Sequence, residues 1–375
     1  MNATIAPRQE LKNTLPKLGL REFWYPAARS SKITNKPTAI KLLGEEVAFY
    51  RSEGKVYAVH NRCPHRGLPM SEGKCHFAGT ISCGYHGWTF DTKGECVAAL
   101  NEGPESTVPG KVRIRTYPVE ERRGLVWVYM GTSEPKALEE DVPAELLDPN
   151  VVSFCQTELW AFNWLPGLEN LQDTHDLFVH RNSIFFLFVK IPAWAKVGAT
   201  ETPDGRGVSY RYEKVGPIQA DYPKVGKWPR SVWWRRLKIG SANQTEYLTA
   251  ELKLPGLVRV GFNAHMYLRY MVPVDETHCR AFLFSCRRAK GFSALTYSAY
   301  YYLWASWSLL KLFIGQDTKV FEVQDYQAPE RLSISDVGLV KWRRTIANYA
   351  EREAGPSPRS QPPGPRALSD VAQAR

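Results

Sequence analysis

The stretch that most constrains this chain runs from Cys63 to His86. It opens as Cys63-Pro64-His65-Arg66-Gly67 and, with seventeen residues between His65 and Cys83, continues as Cys83-Gly84-Tyr85-His86-Gly87-Trp88. Two short segments thus each offer one thiol and one imidazole. That set suits a [2Fe-2S] cluster in which two histidines replace two cysteines on one iron. Cys63 and Cys83 are the candidate ligands of one iron, and His65 and His86 of the other. Pro64 fixes φ in the first segment, while Gly67 and Gly87 let backbone come close enough for amides to hydrogen-bond sulfide. A Cys2His2 zinc site uses the same ligand types, but zinc ribbons and fingers usually bring their cysteines as C-x2-4-C. No such pair exists in the sequence. Cys75, between the two segments, reads as a small buried side chain and not as a ligand.

This two-part pattern resembles the Rieske domain in the low-potential form found in ring-hydroxylating oxygenases. The high-potential respiratory form carries an extra cysteine beside each loop's ligands, where this chain has residues such as Leu68 and Tyr85.

At 375 residues the chain has room for about two domains. With 43% hydrophobic and 23% charged residues it has the composition of a globular protein, with disorder expected only at the ends. Seven cysteines without regular spacing do not make a disulfide framework and point to a reducing compartment. Met1 to Arg21 is polar with scattered leucines, so no signal peptide is read there and the cytoplasm is expected. The formal charge of +11 comes with no nucleic-acid motif, and no nucleic-acid partner is expected. A basic surface can steer an acidic electron donor; an unselective basic surface is the alternative.

After a polar start, residues 1–17, the segment Leu18 to Pro26 reads as an ordered lead-in. Three short β runs follow, Thr38 to Leu43, Glu46 to Arg51 and Lys55 to His60, with Gly44-Glu45 and Ser52-Glu53-Gly54 as turns. Trp88 to Asp91 and Glu95 to Ala99 make a further hairpin, and Val112 to Pro118 is expected to pair with Gly124 to Met130. This gives an all-β first domain over residues 18–135. A polar, proline-punctuated stretch from Ser133 to Pro143 then reads as a linker into a second domain, residues 136–354. Its β signals are Gly207 to Lys214, Glu246 to Leu254, Leu257 to Asn263, Met266 to Val274 and Cys279 to Arg287. From about Ser293 the period turns helical, and Ser335-Asp336 starts a last helix reaching about Glu353. The fold class expected is α+β, an antiparallel sheet packed by helices. Residues 355–375, rich in Pro, Ser, Gly and Arg, read as a disordered tail.

The strongest signal in the second domain lies between Glu169 and His180. On a helix His175 and His180 would stand about 140° apart around the axis, so both face one site only if the helix end bends or unwinds. Two histidines and a distant carboxylate form the facial triad of non-haem Fe(II), which leaves positions open for O2. The carboxylate is sought in the late helix, where twenty uncharged residues, Gly291 to Leu310, and then Lys311 precede Asp317. A carboxylate buried there needs a cation, which iron would supply. Glu322 and Asp325 are the alternatives.

With these residues in place the resemblance extends over about residues 17 to 350, to the oxygenase α-subunit of Rieske non-haem iron oxygenases and within them to the carbazole dioxygenase and oxoquinoline monooxygenase group. The residues that carry it are Lys17 to Pro26, Ala39 to Gly44, both cluster segments, Arg115 to Val119, Leu168-Glu169-Asn170 and His180-Arg181-Asn182-Ser183. The resemblance implies a homotrimer in which electrons pass from one subunit's cluster to the neighbour's iron through an aspartate. Asp173 matches that aspartate and would bridge His86 of one subunit to the first iron histidine of the next. One departure stands out: those families place the first histidine three residues after the aspartate, whereas His175 follows Asp173 by two and Asp176 occupies the expected place. His175 is taken as the ligand because neutral imidazole suits Fe(II) and an Asp-Asp-His site would alter the charge by one unit.

The resemblance implies an O2-dependent oxygenase, hydroxylating or oxidatively demethylating a small hydrophobic, cyclic organic substrate. Electrons would come from NAD(P)H through a reductase, with or without a ferredoxin. Leu177, Phe178 and Phe185, next to the iron histidines, are the candidate pocket residues. Tyr297, Tyr300, Tyr301, Trp304 and Trp307 recur at helical spacing and are expected to pack the core or a subunit contact. With so many rings and serines this run is a poor hydrocarbon span, so no membrane association is expected. The rival from another class is an electron-transfer or redox-sensing protein using only the cluster, which leaves everything beyond residue 135 unexplained.

Overall fold

A computed structural model describes residues 8–172, 179–180, 194–216, 248–262 and 265–354. Ten strands make up the first part of the chain: β1 (Trp24–Arg29), β2 (Thr38–Leu42), β3 (Glu45–Ser52), β4 (Lys55–His60), β5 (Thr80–Ser82), β6 (Trp88–Asp91), β7 (Cys96–Ala99), β8 (Thr116–Tyr117), β9 (Val119–Arg122) and β10 (Leu125–Tyr129). They form three antiparallel sheets in the orders β1-β10-β9, β2-β3-β4-β8 and β5-β6-β7.

Three hairpins share one device. Leu43-Gly44, Glu53-Gly54 and Arg123-Gly124 are two-residue turns with both residues at positive φ, between 49° and 80°. Such turns match the right-handed twist of the flanking strands. The last of them corrects an expectation: by pairing Arg122 with Leu125 it makes Val119–Arg122 the partner of β10, and Thr116–Tyr117 pairs with β4 instead. The lead-in segment also proves to be a strand, since Trp24 pairs with Tyr129 and Arg29 with Leu125.

The second part is one seven-stranded antiparallel sheet. Its strands are β11 (Val151–Trp160), β12 (Trp194–Glu201), β13 (Gly207–Gly216), β14 (Leu248–Lys253), β15 (Leu257–Phe262), β16 (His265–Pro273) and β17 (Cys279–Arg288), in the order β11-β17-β16-β15-β14-β13-β12. The two edge strands, β11 and β12, carry no strand signal in the sequence reading, which found only the five between them.

Helices α1 (Arg8–Thr14), α2 (Ala144–Leu147), α3 (Trp164–Glu169), α4 (Phe292–Tyr300), α5 (Ile314–Val323) and α6 (Val337–Ala354) complete the described structure. Between α4 and α5 the helical path continues through two π-helical stretches, Tyr301–Ala305 and Ser308–Phe313. No described helix is long and apolar enough to cross a membrane. Of the aromatic run, Tyr297 and Tyr301 are buried and Tyr300, Trp304 and Trp307 are exposed. A capping box starts the last helical segment: Ser333 and Asp336 each satisfy the other's backbone N–H.

Two apolar cores result. A small one under β3, β4 and β5–β7 contains Tyr50, Met70, Ile81, Phe90 and Ile114 together with Cys63, Cys83 and Trp88. A large one joins β1 and β10 to the seven-stranded sheet, with Trp127 set edge-on to Tyr270 at 5.3 Å. The polar stretch read as a linker is pinned into this junction. Leu138, Asp141 and Val142 are buried, the Asp141 carboxylate accepts from the Trp24 N–H at 2.8 Å and pairs with Arg206, and the Tyr270 hydroxyl donates to the Asp141 carbonyl at 2.6 Å.

Candidate functional site

The two cluster segments are built alike. In the first, the Cys63 N–H donates to the Leu68 carbonyl at 2.9 Å and the Gly67 N–H returns to the Cys63 carbonyl at 2.9 Å. In the second, the Cys83 N–H donates to the Trp88 carbonyl at 2.8 Å and the Gly87 N–H to the Cys83 carbonyl at 3.1 Å. Gly67 and Gly87 hold φ of +76° and +67°, a backbone that glycine adopts without strain. Each loop therefore closes on itself through its own backbone.

The pairing of ligands follows from this layout. Cys63 and Cys83 are buried, His65 is exposed and His86 half-buried, and the two imidazole centroids stand 4.6 Å apart. His65 lies flat on the Trp88 indole at 4.4 Å and 7°, and Tyr85 covers His86 at 3.7 Å. Burial pushes the Cys63 thiol up to about 11, the His65 and Arg66 backbone N–H groups draw it down, and the Cys83 thiol beside it raises it again. Loading a metal here would release thiol protons.

These residues fit a [2Fe-2S] group. Two thiols meet in an apolar core with backbone N–H groups aimed at sulfur, and the buried Trp88 Nε1–H has no hydrogen-bond partner among the described residues. Among those residues no three His, Cys, Asp or Glu side chains converge on a point that could hold a single ion. Two thiols side by side and two imidazoles with centroids 4.6 Å apart suit a two-iron cluster, which takes two protein ligands per iron.

A second pair of candidate ligands comes together across the fold. His180 and Asp317 are both buried, and His180 Nε2 lies 3.3 Å from Asp317 Oδ1. The other ring nitrogen, Nδ1, lies 3.2 Å from Gln316 Oε1, and Phe313 stacks on the imidazole at 3.9 Å and 19°. Glu322 and Asp325, the alternative carboxylates, are exposed. Phe313, Gln316 and Asp317 stand at i, i+3 and i+4 on one helical path, which places them on one face. Neither Phe313 nor Gln316 carries a chemical signature in the sequence; helical spacing from Asp317 could have found Phe313, four residues before it, but not Gln316. Asp173, His175, Asp176, Leu177, Phe178 and Phe185 lie outside the described residues.

The approach to His180 is anchored from afar. The Asn163 side chain caps α3 by accepting from the Leu165 N–H at 3.2 Å. Gly167 lets the helix lie on the sheet, for a Cβ there would fall 2.3 Å from the Met271 methyl. At the end of α3, Glu169 receives both Nε and Nη2 of the buried Arg343, at 2.7 and 2.9 Å, and the Tyr326 hydroxyl at 3.0 Å. Arg343 also pairs with Glu330.

Residues 23–118 match the Rieske [2Fe-2S] domain family, and residues 129–198 match the homotrimeric ring hydroxylase family. The two matches lie one after the other, in the order of a cluster domain followed by a ring hydroxylase domain. The terminal oxygenase component of carbazole 1,9a-dioxygenase from a Sphingomonas species is 43% identical over 170 residues, 45% of this chain and 45% of that protein. The oxygenase subunit of vanillate O-demethylase from a Pseudomonas strain is 35% identical over 181 residues, 44% of this chain and 46% of that one. These matches thus span about half the length of the curated relatives. The fold likeness reaches further: the terminal oxygenase of carbazole 1,9a-dioxygenase from Nocardioides aromaticivorans superposes with a TM-score of 0.74 over 91% of this chain and 96% of that chain, at 29% identity.

Proposed function

We propose that this chain is a Rieske oxygenase, the terminal oxygenase of a multicomponent system that uses O2 to hydroxylate, or oxidatively demethylate, a hydrophobic cyclic substrate. The observation that carries the reading is the His180–Asp317 pair, buried at 3.3 Å on the same chain as the Cys63/His65/Cys83/His86 set. A carrier of electrons alone has no use for it. The curated relatives named above include a dioxygenase and a demethylase, so the ligand sets alone do not choose between the two outcomes.

In this reading Cys63 and Cys83 hold one cluster iron, and His65 and His86 the other, on the exposed side where an electron donor can approach. His180 and Asp317, with His175, hold the mononuclear iron. Together these groups would supply the electrons and the open coordination positions that O2 chemistry requires. Asp173 is assigned the bridge between His86 of one subunit and His175 of the next in a homotrimer, in line with the homotrimeric ring hydroxylase match. Leu177, Phe178 and Phe185 are proposed as the apolar pocket that holds the substrate next to the iron. Electrons would arrive from NAD(P)H through a reductase, directly or by way of a ferredoxin.

Anaerobic iron analysis tests the reading. About three irons per chain are expected, two in the cluster and one bound by the facial triad. A value of about two, unchanged by His180→Ala, would establish the electron carrier instead.

A further inference from the structure

The helical path from Ser308 to Val323 holds His180 from three sides. Phe313 stacks on the ring, Gln316 meets Nδ1 and Asp317 faces Nε2. The first of these closes the π-helical stretch Ser308–Phe313, and the other two lie in the first turn of α5. π-Helical turns are rare and recur at functional sites, where they re-aim side chains relative to an unbroken α-helix. Here the change of winding falls immediately before the residues that meet His180.

The chemistry of each contact is specific. A histidine that ligates iron through Nε2 must be neutral, with its proton on Nδ1, and the partner of Nδ1 decides which tautomer and which ring orientation is held. The Gln316 oxygen stands 3.2 Å from Nδ1; with the ring proton on that nitrogen it accepts the Nδ1–H, and Nε2 presents its lone pair on the Asp317 side. In the other tautomer Nδ1 is an acceptor, and the Gln316 amide would have to turn its NH2 toward the ring. Carboxylates or backbone carbonyls commonly do this for metal-bound histidines, and here a side-chain amide does it from the residue next to the carboxylate ligand.

We propose that Gln316 is a positioning residue: it fixes the Nδ1–H tautomer of His180 and aims Nε2 at the point shared with Asp317. The proposal rests on the reading of His180 and Asp317 as iron ligands. A single helical turn then supplies one ligand and the orienting contact of the other, so the geometry of the pair depends on the local winding of one helix.

The test is ferrous ion affinity of the mononuclear site, measured by chelator competition on the full chain with its cluster loaded. The EPR signal of the nitric oxide adduct reports the mononuclear site, and the cluster signal serves as an internal control. Gln316→Leu removes the acceptor and should weaken ferrous binding about 10- to 100-fold, the range for loss of a ligand-orienting contact. Gln316→Glu keeps an acceptor at the same reach and should recover affinity to within a few-fold of the native chain. Equal affinity in Gln316→Leu and the native chain overturns the proposal, as does equal weakening in Gln316→Leu and Gln316→Glu, which would mark a packing role. If circular dichroism shows that Gln316→Leu fails to fold, Gln316→Asn decides. Its amide is one methylene too short to reach Nδ1, so native affinity in that variant overturns the proposal and weakened affinity supports it. His180→Ala separates the two levels: a mononuclear signal that survives it refutes the iron assignment itself.

Discussion

The cluster loops and the His180 site hold their ligands by different means. Every proposed cluster ligand lies between Cys63 and His86, on two loops that each close through their own backbone N–H groups over a small private core. His180 meets Gln316 across 136 residues of sequence, and its approach is tied down by the ion pair between Glu169 and Arg343, which spans 174. One site is a local structure that the β-sheets carry. The other is a tertiary structure that exists only when the sheet, α3, α5 and α6 are all in place. A cofactor held by local structure survives distant damage, and one held by tertiary structure does not.

The largest test of this contrast removes one ligand from each site. Cys83→Ser should abolish the rhombic Rieske EPR signal of the reduced protein while the mononuclear iron stays bound. His180→Ala should do the reverse, and loss of both signals in either variant would contradict the independence of the two sites.

Next comes the anchor. Arg343→Met keeps an unbranched apolar stem but leaves the Glu169 and Glu330 carboxylates without their guanidinium, although Lys12 still lies 3.5 Å from Glu330. Breaking a buried pair in this way costs about 3–5 kcal/mol. Urea unfolding followed at both metal sites should show the mononuclear iron released at lower denaturant than the cluster colour. Simultaneous release would mean that the two sites share one cooperative unit.

The same contrast explains what could be read from the sequence. The cluster ligands are legible because thiols and imidazoles at fixed short spacing carry their chemistry in the chain itself. The meander β2–β4 is legible for the same reason, since Leu43-Gly44 and Glu53-Gly54 mark its turns locally. His180 and Asp317 could be named, but their proximity needs the fold. Gln316 was invisible because a glutamine has no signature until a histidine is brought to it across the sheet. Strands β1 and β11 were missed where their partners are remote: Trp24 pairs with Tyr129, and Val151 with Arg288; β12 was missed although its partner β13 is the next strand. The stretch from Ser133 to Pro143 reads as a linker by composition, yet the pairing of Asp141 with Arg206 pins it into the junction.

The smallest effect compares the two cluster loops with each other. Gly67 and Gly87 occupy equivalent places, both at positive φ, and by local backbone alone their replacement by alanine should cost the same, about 1 kcal/mol. Their surroundings differ. A Cβ at Gly67 meets nothing within 4 Å, while one at Gly87 falls 2.8 Å from the Leu100 Cβ, where little can yield. Overpacking of that kind adds about 1–3 kcal/mol. Gly67→Ala should therefore lower the urea midpoint slightly and leave the cluster EPR line shape as it is. Gly87→Ala should lower the midpoint further and broaden the line, because the loop that carries Cys83 and His86 must shift to make room. Equal costs would show that the second loop is as free of its neighbours as the first, and that backbone conformation alone sets the geometry of the cluster ligands.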